Sequence, residues 1–286
     1  MGGGAWTSAT YTTSINSMGF LDARAMSTAH VQEVYRESYL HPLLNPRGVM
    51  RECCDSDEHP ETIPVILALD VTGSMGAAAT MCAGKLDEIM SELYTKVKDV
   101  EFLMMGIGDL ACDDAPIQAS QFESDIRIFD QTTKIYFEGG GGGNSFESYT
   151  AAWYFGLHNT KLDCWKRGKK GIIITIGDEP LNPYLPGRRL SEVLGCNTQD
   201  VDTNKLYKEV CEKFDVYHIA ITNDSSYAYH KDGIHSTWEP LLKQHFIVGT
   251  SEELPKIISD IVKDHEGISF IEPTTTVHNT EEGISW

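Results

Sequence analysis

Oxygen-bearing side chains follow directly after two apolar segments of the chain. An apolar run over residues 63–69 is the first. After it, Asp70, Thr72 and Ser74 place a carboxylate and two hydroxyls at positions i, i+2 and i+4. A second apolar run leads into Asp178. Ligands of open α/β sheets collect beyond the carboxyl ends of the strands, and hard oxygen donors without nitrogen or sulfur suit Mg²⁺ or Mn²⁺. These residues therefore predict a divalent-cation site.

A glycine-rich loop offers a further donor. Five consecutive glycines, residues 139–143, precede Asn144 and Ser145, and either side chain is a candidate ligand. Asp109, in an acidic loop, is another candidate, although a solvated turn is the simpler interpretation. Asn144 and Glu147 have the spacing of a capping box, so Glu147 is interpreted as a helix-start residue and not as a ligand.

Short apolar runs alternate with amphipathic helices from residue 63 onwards, which is typical of a parallel sheet with crossover helices. The predicted strands are residues 63–70, 100–107, 126–129 or 134–137, 171–176, 216–221 and 246–248. The predicted helices carry apolar stripes over residues 86–97, 146–157, 206–214 and 254–262. The fold class that follows is α/β, with a doubly wound, mostly parallel central sheet flanked by helices. His218, on one of the strands, is predicted to be a packed core residue.

The pattern divides the chain into three parts. Residues 1–60 are a mostly irregular N-terminal extension with one predicted helix over residues 27–40. Residues 61–265 form the α/β domain, and residues 266–286 form a polar C-terminal tail.

Composition and charge restrict the possible partners and compartment. The chain has 42 acidic and 23 basic side chains and a net charge of −19. Because it has no Lys/Arg stripe, binding to nucleic acid or to an anionic membrane is not expected. The apolar runs are shorter than the roughly 20 residues of a membrane-spanning helix, and the N-terminus lacks a secretory signal pattern. Seven cysteines without a CxxC pair indicate reduced thiols, which predicts a cytoplasmic protein.

The spacing of these donors resembles that of a known family. Asp70-x-Thr72-x-Ser74, a later polar loop residue and Asp178 are similar to the metal-ion-dependent adhesion site (MIDAS) of von Willebrand factor A (VWA) domains of the intracellular, prokaryotic or phage type. The family pattern is Asp-x-Ser-x-Ser, then a threonine, then an aspartate, and the resemblance covers roughly residues 60–265. It implies a Rossmann-like doubly wound sheet with a magnesium ion at its top. The hydroxyls would bind the ion directly, and the acids directly or through water.

The sequence departs from the family pattern at two points. Thr72 stands where the family has its first serine, which retains the hydroxyl. The separate threonine has no counterpart after the glycine run, and Asn144, Ser145 or Asp109 is left to supply that ligand.

The resemblance implies a non-enzymatic function. A bound Mg²⁺ or Mn²⁺ ion with an incomplete shell would accept an Asp or Glu from a partner protein, which mediates protein–protein interaction. A MoxR-type AAA+ ATPase is one candidate partner, carried by the resemblance alone.

Two other functions are weighed against this one. The alternative is a Mg²⁺-dependent phosphatase or other hydrolase with Asp70 as nucleophile. Phosphatases of the haloacid-dehalogenase type need a second aspartate, as general acid, at the place of Thr72. Threonine cannot serve as that acid. An extracellular adhesin is the third hypothesis, and the odd number of cysteines argues against it. The glycine run is not a phosphate-binding loop, because no Gly-Lys-Ser/Thr follows it.

Overall fold

The computed structural model describes residues 4–17, 35, 37–97, 99–138, 146–223 and 225–268. Within these ranges a six-stranded sheet forms the centre of the molecule. Its strands are β1 (Ile63–Asp70), β2 (Val100–Ile107), β3 (Ile117–Glu123), β4 (Gly171–Gly177), β5 (Phe214–Ile221) and β6 (Phe246–Gly249).

The strand order is β3-β2-β1-β4-β5-β6, and every neighbouring pair is parallel except β2 with β3. The chain therefore adds strands to one side of β1 first and then, from β4 onwards, to the other side. The position between β1 and β4 is the topological switch point of a doubly wound sheet. The predicted α/β fold class is confirmed. In the register, Leu69 of β1 lies beside Ile176 of β4, and Asp70 lies beside Ile107 of β2. The end of β1 thus lies at the centre of the sheet's carboxyl edge.

Helices cover both faces of the sheet. They are α1 (Ser8–Ser17), α2 (Gly76–Gly84), α3 (Leu86–Tyr94), α4 (Arg127–Thr132), α5 (Thr150–His158), α6 (Gly187–Leu194), α7 (Thr203–Val210), α8 (Ser225–Leu242) and α9 (Leu254–His265). Two short strand pairs lie outside the main sheet: Arg51–Cys53 with Thr160–Leu162, and Tyr184–Leu185 with Val201–Asp202.

The two core layers follow from the alternation of side chains along the strands. In β1, Val65, Leu67 and Leu69 belong to the core shared with α2, α3 and α9. Ile66 and Ala68 point to the other face and pack in the core of α5 to α8. Because β1 is buried on both faces, its sequence is a continuous apolar run with no polar alternation.

The N-terminal residues pack onto the α2–α3 side of the domain. Trp6, Tyr11 and Ile15 are buried in the same core as these helices. The Trp6 indole donates to Asp87 at 2.8 Å, and the Tyr11 hydroxyl donates to the Gly84 carbonyl at 2.8 Å. Most of the helix predicted over residues 27–40 lies outside the described residues, and the described residues 37–40 are not helical.

The strand predicted over residues 126–129 or 134–137 is wrong. The edge strand is β3, and α4 occupies most of the first alternative. The apolar pattern does not predict β3, because this strand contains polar residues. Two of them, Gln118 and Ser120, are nevertheless buried. Ser120 accepts a hydrogen bond from the Met104 backbone at 2.8 Å, and Gln118 donates to the Tyr136 carbonyl at 2.7 Å. These contacts satisfy the side chains inside the fold.

No helix in the described part of the chain is long and apolar enough to cross a membrane. All but residues 266–268 of the predicted C-terminal tail lie outside the described residues.

Candidate functional site

Asp70 is the last residue of β1, and its carboxylate is fully buried. One oxygen, Oδ1, accepts hydrogen bonds from the Thr72 backbone N–H at 2.8 Å and from the Thr72 hydroxyl at 2.6 Å. The other, Oδ2, accepts from the Tyr149 hydroxyl at 2.6 Å. Burial raises the pKa of Asp70, the donors from Thr72 and Tyr149 oppose that rise, and the charge of Glu179 adds to it. The loop after β1 is thus organised around this carboxylate.

The Tyr149 side chain packs closely against the backbone of Gly177. Tyr149 lies directly before α5 and is fully buried, with its ring 5.8 Å from that of Trp238. A Cβ atom at Gly177, the last residue of β4, would lie 2.0 Å from the Tyr149 hydroxyl oxygen. Only glycine at the end of β4 therefore leaves room for the hydroxyl that bonds to Asp70.

Asp178 follows β4 at the same edge of the sheet and is fully buried. Burial first, and then the charges of Asp70, Asp178 and Glu147, raise the pKa of Tyr149 well above its ordinary value. Asp70, Thr72 and Asp178 thus lie at the same edge of the sheet, near the switch point, and Tyr149 bonds to Asp70 there.

The loop after β2 brings two more acids to this edge. Asp109 is buried, so the interpretation as a solvated turn is wrong. Its Oδ1 accepts from the Ala111 backbone at 2.9 Å, and its own N–H donates to Asp113 Oδ2 at 2.7 Å. Burial, with the charges of neighbouring acids, raises the pKa of Asp113 to about 6. Ser148 joins this loop to the start of α5, because its hydroxyl accepts from the Leu110 N–H at 3.0 Å.

Glu147 is the residue that sequence reasoning misplaced. The helix begins at Thr150, so Glu147 is not in its first turn and the capping-box interpretation is wrong. The side chain is 5% exposed, and its backbone bridges to Leu181 after β4. Burial raises its pKa strongly, and the charges of Asp70, Asp113, Asp109 and Glu179 raise it further. The only signal in the sequence was an acidic residue shortly after the glycine-rich run, and its burial is visible only in the structure.

Two further candidate ligands, Asn144 and Ser145, lie outside the described residues, as does the side chain of Ser74. The backbone of Ser74 lies in a 3₁₀ turn, Gly73–Met75, directly after Thr72. Glu179, which the sequence analysis also left out, accepts from the Ser226 hydroxyl at 2.7 Å and lies 3.6 Å from His230 Nε2. Its position next to Asp178 was the signal for it.

Within the described ranges, no three His, Cys, Asp or Glu side chains are grouped closely enough to hold a metal ion by themselves. A cation at this edge would therefore need hydroxyl and water oxygens in addition to carboxylates. The Thr72 hydroxyl has this chemistry: it donates its proton to Asp70, which leaves its oxygen lone pairs available to a cation.

No protein-family model matches the chain. No curated protein matches its sequence.

Three solved structures are similar to part of the chain. The pilus adhesin SpaC from Lactobacillus rhamnosus GG, in its open conformation, has a TM-score of 0.49 and 11% identity over 77% of this chain and 31% of that chain. Proximal thread matrix protein 1 from the mussel byssus has a TM-score of 0.48 and 13% identity, over 73% and 49% of the two chains. The conserved hypothetical protein BatB from Bacteroides thetaiotaomicron has a TM-score of 0.43 and 16% identity, over 72% and 99%.

The chain spans about a third of SpaC and about half of the byssus protein. At these TM-scores and identities the three similarities identify no family.

Proposed function

We propose that this protein is a VWA-type domain that binds a divalent cation at the carboxyl edge of β1 and β4 and uses it to bind a partner protein. One observation carries the proposal: the buried carboxylates of Asp70 and Asp178 follow neighbouring parallel strands at one edge of the sheet, and the Tyr149 hydroxyl donates to the first of them. Buried like charges are costly unless protons or a cation compensate them. A divalent ion supplies that compensation.

The donor set fits a hard cation. Asp70, Thr72 and Asp178 provide oxygen atoms from two neighbouring strand ends, and Ser74 adds a hydroxyl by its place in the sequence motif. Because both Asp70 oxygens already accept hydrogen bonds, Asp70 would act on the ion most easily through water. Oxygen donors completed by water are the preference of Mg²⁺, and Mn²⁺ shares it.

The partner would supply the missing ligand. An ion held largely by hydroxyls and water attracts an Asp or Glu carboxylate from outside, and this lets a protein with a charge of −19 bind an acidic surface. A MoxR-type AAA+ ATPase in the cytoplasm is the candidate partner that the family resemblance offers. We propose no catalytic role. Both oxygens of Asp70 accept hydrogen bonds from Thr72 and Tyr149, which makes Asp70 a poor nucleophile.

Calorimetric titration of Mg²⁺ and of Mn²⁺ into the chelator-stripped protein tests the cation. We expect one saturable site in the wild type and affinity lower by roughly tenfold or more in Asp70→Asn and Thr72→Ala. Asp114→Asn is the control, because this acid is exposed on the neighbouring loop. An absence of saturable binding to the wild type would refute the cation site.

The interaction and the enzyme alternative need separate measurements. Partner capture from cell extract should occur with Mg²⁺, fail with EDTA, and fail for Asp70→Asn. Hydrolysis of p-nitrophenyl phosphate that is lost in Asp70→Asn would instead establish the hydrolase.

A further inference from the structure

Glu147 is a buried acid with one carboxylate oxygen that no donor in the described part of the chain reaches, and Oε2 of Glu179, near the same edge of the sheet, is another such atom. The Glu147 Oε2 atom is inaccessible to solvent and has no hydrogen-bond partner among the described residues. Asp70 differs in this respect, because three hydrogen bonds reach its two oxygens. An unpartnered buried carboxylate is expensive, so a further group is expected to compensate it.

The position of Glu147 joins the three loops of the cation site. Its backbone bridges to Leu181, just beyond Asp178 and Glu179. The next residue, Ser148, donates its N–H to the Gly108 carbonyl at 3.2 Å and so ties Glu147 to the loop of Asp109. Two residues further on, Tyr149 bonds to Asp70. Glu147 is therefore fixed from three sides at the edge where Asp70 and Asp178 lie.

We propose that Glu147 is the cation ligand supplied by the third loop, bound directly or through one water. The inference rests on the proposed divalent-cation site and assigns its missing donor, which the sequence left open between Asn144, Ser145 and Asp109. Asp109 is less suited to the role, because its Oδ1 closes its own turn onto the Ala111 N–H. A carboxylate in place of a hydroxyl adds one negative charge to the site and strengthens its attraction for the ion.

A purely structural role makes a different prediction. If Glu147 is a neutral buried acid in the working protein, glutamine is nearly isosteric with it and changes little. If Glu147 binds the cation, Glu147→Gln removes a ligand that becomes charged when the ion is bound. Metal affinity should then fall, while the stability of the metal-free protein should stay close to that of the wild type.

The test is calorimetric titration of Mg²⁺ and Mn²⁺ alone into the full chain, with thermal melts of the metal-free and metal-loaded forms. For Glu147→Gln we expect affinity reduced by roughly ten- to a hundredfold, a metal-free Tm close to that of the wild type and a smaller gain in Tm on loading. Glu138→Gln makes the same change at the other end of the same loop and should bind like the wild type. Its carboxylate already accepts from the Ala115 and Asp114 N–H groups.

The outcomes separate this inference from the function on which it rests. Saturable binding to the wild type with equal affinity in Glu147→Gln overturns the role of Glu147 and leaves the cation site standing. No binding to the wild type overturns both. Should Glu147→Gln not fold, Mn²⁺ added to ¹³C-labelled wild type decides the matter. Selective paramagnetic broadening of the Glu147 carboxyl resonance, compared with that of Glu138, supports the assignment, and equal broadening refutes it.

Discussion

At the scale of single residues, the site depends on hydrogen bonds that keep the buried Asp70 carboxylate in place without a basic partner among the described residues. Tyr149 provides the donor to Asp70 Oδ2, while Thr72 provides both donors to Oδ1. Gly177 leaves the space that the Tyr149 hydroxyl occupies. The conformation of the loop after β1 therefore depends on Gly177 at the end of β4 and on Tyr149 before α5 as much as on its own sequence.

Tyr149→Phe tests this arrangement in the metal-free protein. The substitution leaves Oδ2 of a fully buried carboxylate without its donor, and hydrogen bonds to charged groups contribute roughly 1.5–3 kcal/mol. We expect the free energy of unfolding in urea to fall by about that amount. Tyr229→Phe removes a hydroxyl from a ring that is 86% exposed, and it should leave the stability unchanged. Equal stabilities of the wild type and Tyr149→Phe would show that this hydrogen bond does not hold Asp70.

At the scale of elements, the sequence predicts those strands that are apolar throughout. The bounds of β1 and β2 agree with the predicted residues 63–70 and 100–107, because both strands are buried on both faces. The sequence does not predict β3. Its buried Gln118 and Ser120 are satisfied by tertiary hydrogen bonds, which a local sequence pattern does not reveal. The helix α8 is not predicted either. Gly233 and Pro240 lie within it, and it has no clear apolar stripe.

The same distinction applies to the candidate site. Asp70 and Asp178 could be located from the sequence, because each directly follows an apolar strand. The burial of Glu147 could not, since it depends on where α5 begins and on the loops that pack beside it. Local spacing suggested a helix cap, and the tertiary structure placed the residue elsewhere.

The packing of α9 on α3 includes a charged contact that can be tested at this scale. Lys263 of α9 is fully buried and its ammonium pairs with Glu92 of α3, whose side chain is 38% exposed. Glu92→Gln removes the carboxylate from a buried ammonium, and we expect a loss of about 1–3 kcal/mol in the free energy of unfolding. Asp260→Asn is the matched control, because Asp260 pairs with the exposed Lys256 on the same helix at 2.5 Å. Its effect should stay below about 1 kcal/mol.

Denaturant unfolding at low and high salt measures both variants. A loss for Glu92→Gln no larger than that for Asp260→Asn would mean that the buried contact contributes no more than a surface pair. The helix α9 would then be held by its apolar face alone.

At the scale of the whole molecule, opposing buried groups set the dependence of stability on pH. Asp70, Asp113 and Glu147 have raised pKa values, so in the metal-free protein their protonation favours the folded state as pH falls. His218 acts in the opposite direction. It is fully buried on β5, as predicted, and its ring stacks on Trp238 at 3.8 Å. Burial lowers its pKa to about 3.

His218 is thus neutral in the folded protein while the unfolded chain protonates it below its ordinary pKa of 6.5. The unfolded state binds more protons between pH 6.5 and about 3, so this group's contribution to stability is intact above pH 6.5 and is lost as pH falls through that window. By pH 5 the loss amounts to about 2 kcal/mol. His218→Phe retains an aromatic ring and removes the titration.

Urea unfolding of the metal-free wild type and of His218→Phe at pH 7.5 and at pH 5 measures the difference. We expect the wild type to lose about 2 kcal/mol more than the variant on acidification, because the acids of the site titrate in both proteins and cancel in the comparison. Thr175→Val removes the hydroxyl that lies 2.9 Å from His218 Nδ1 but retains the buried imidazole, so it should keep the pH dependence of the wild type. Equal losses in the wild type and His218→Phe would show that the imidazole gains a proton inside the fold. In that case acid sensitivity would have to come from carboxylates whose pKa is lowered in the fold, such as Asp125 and Asp215.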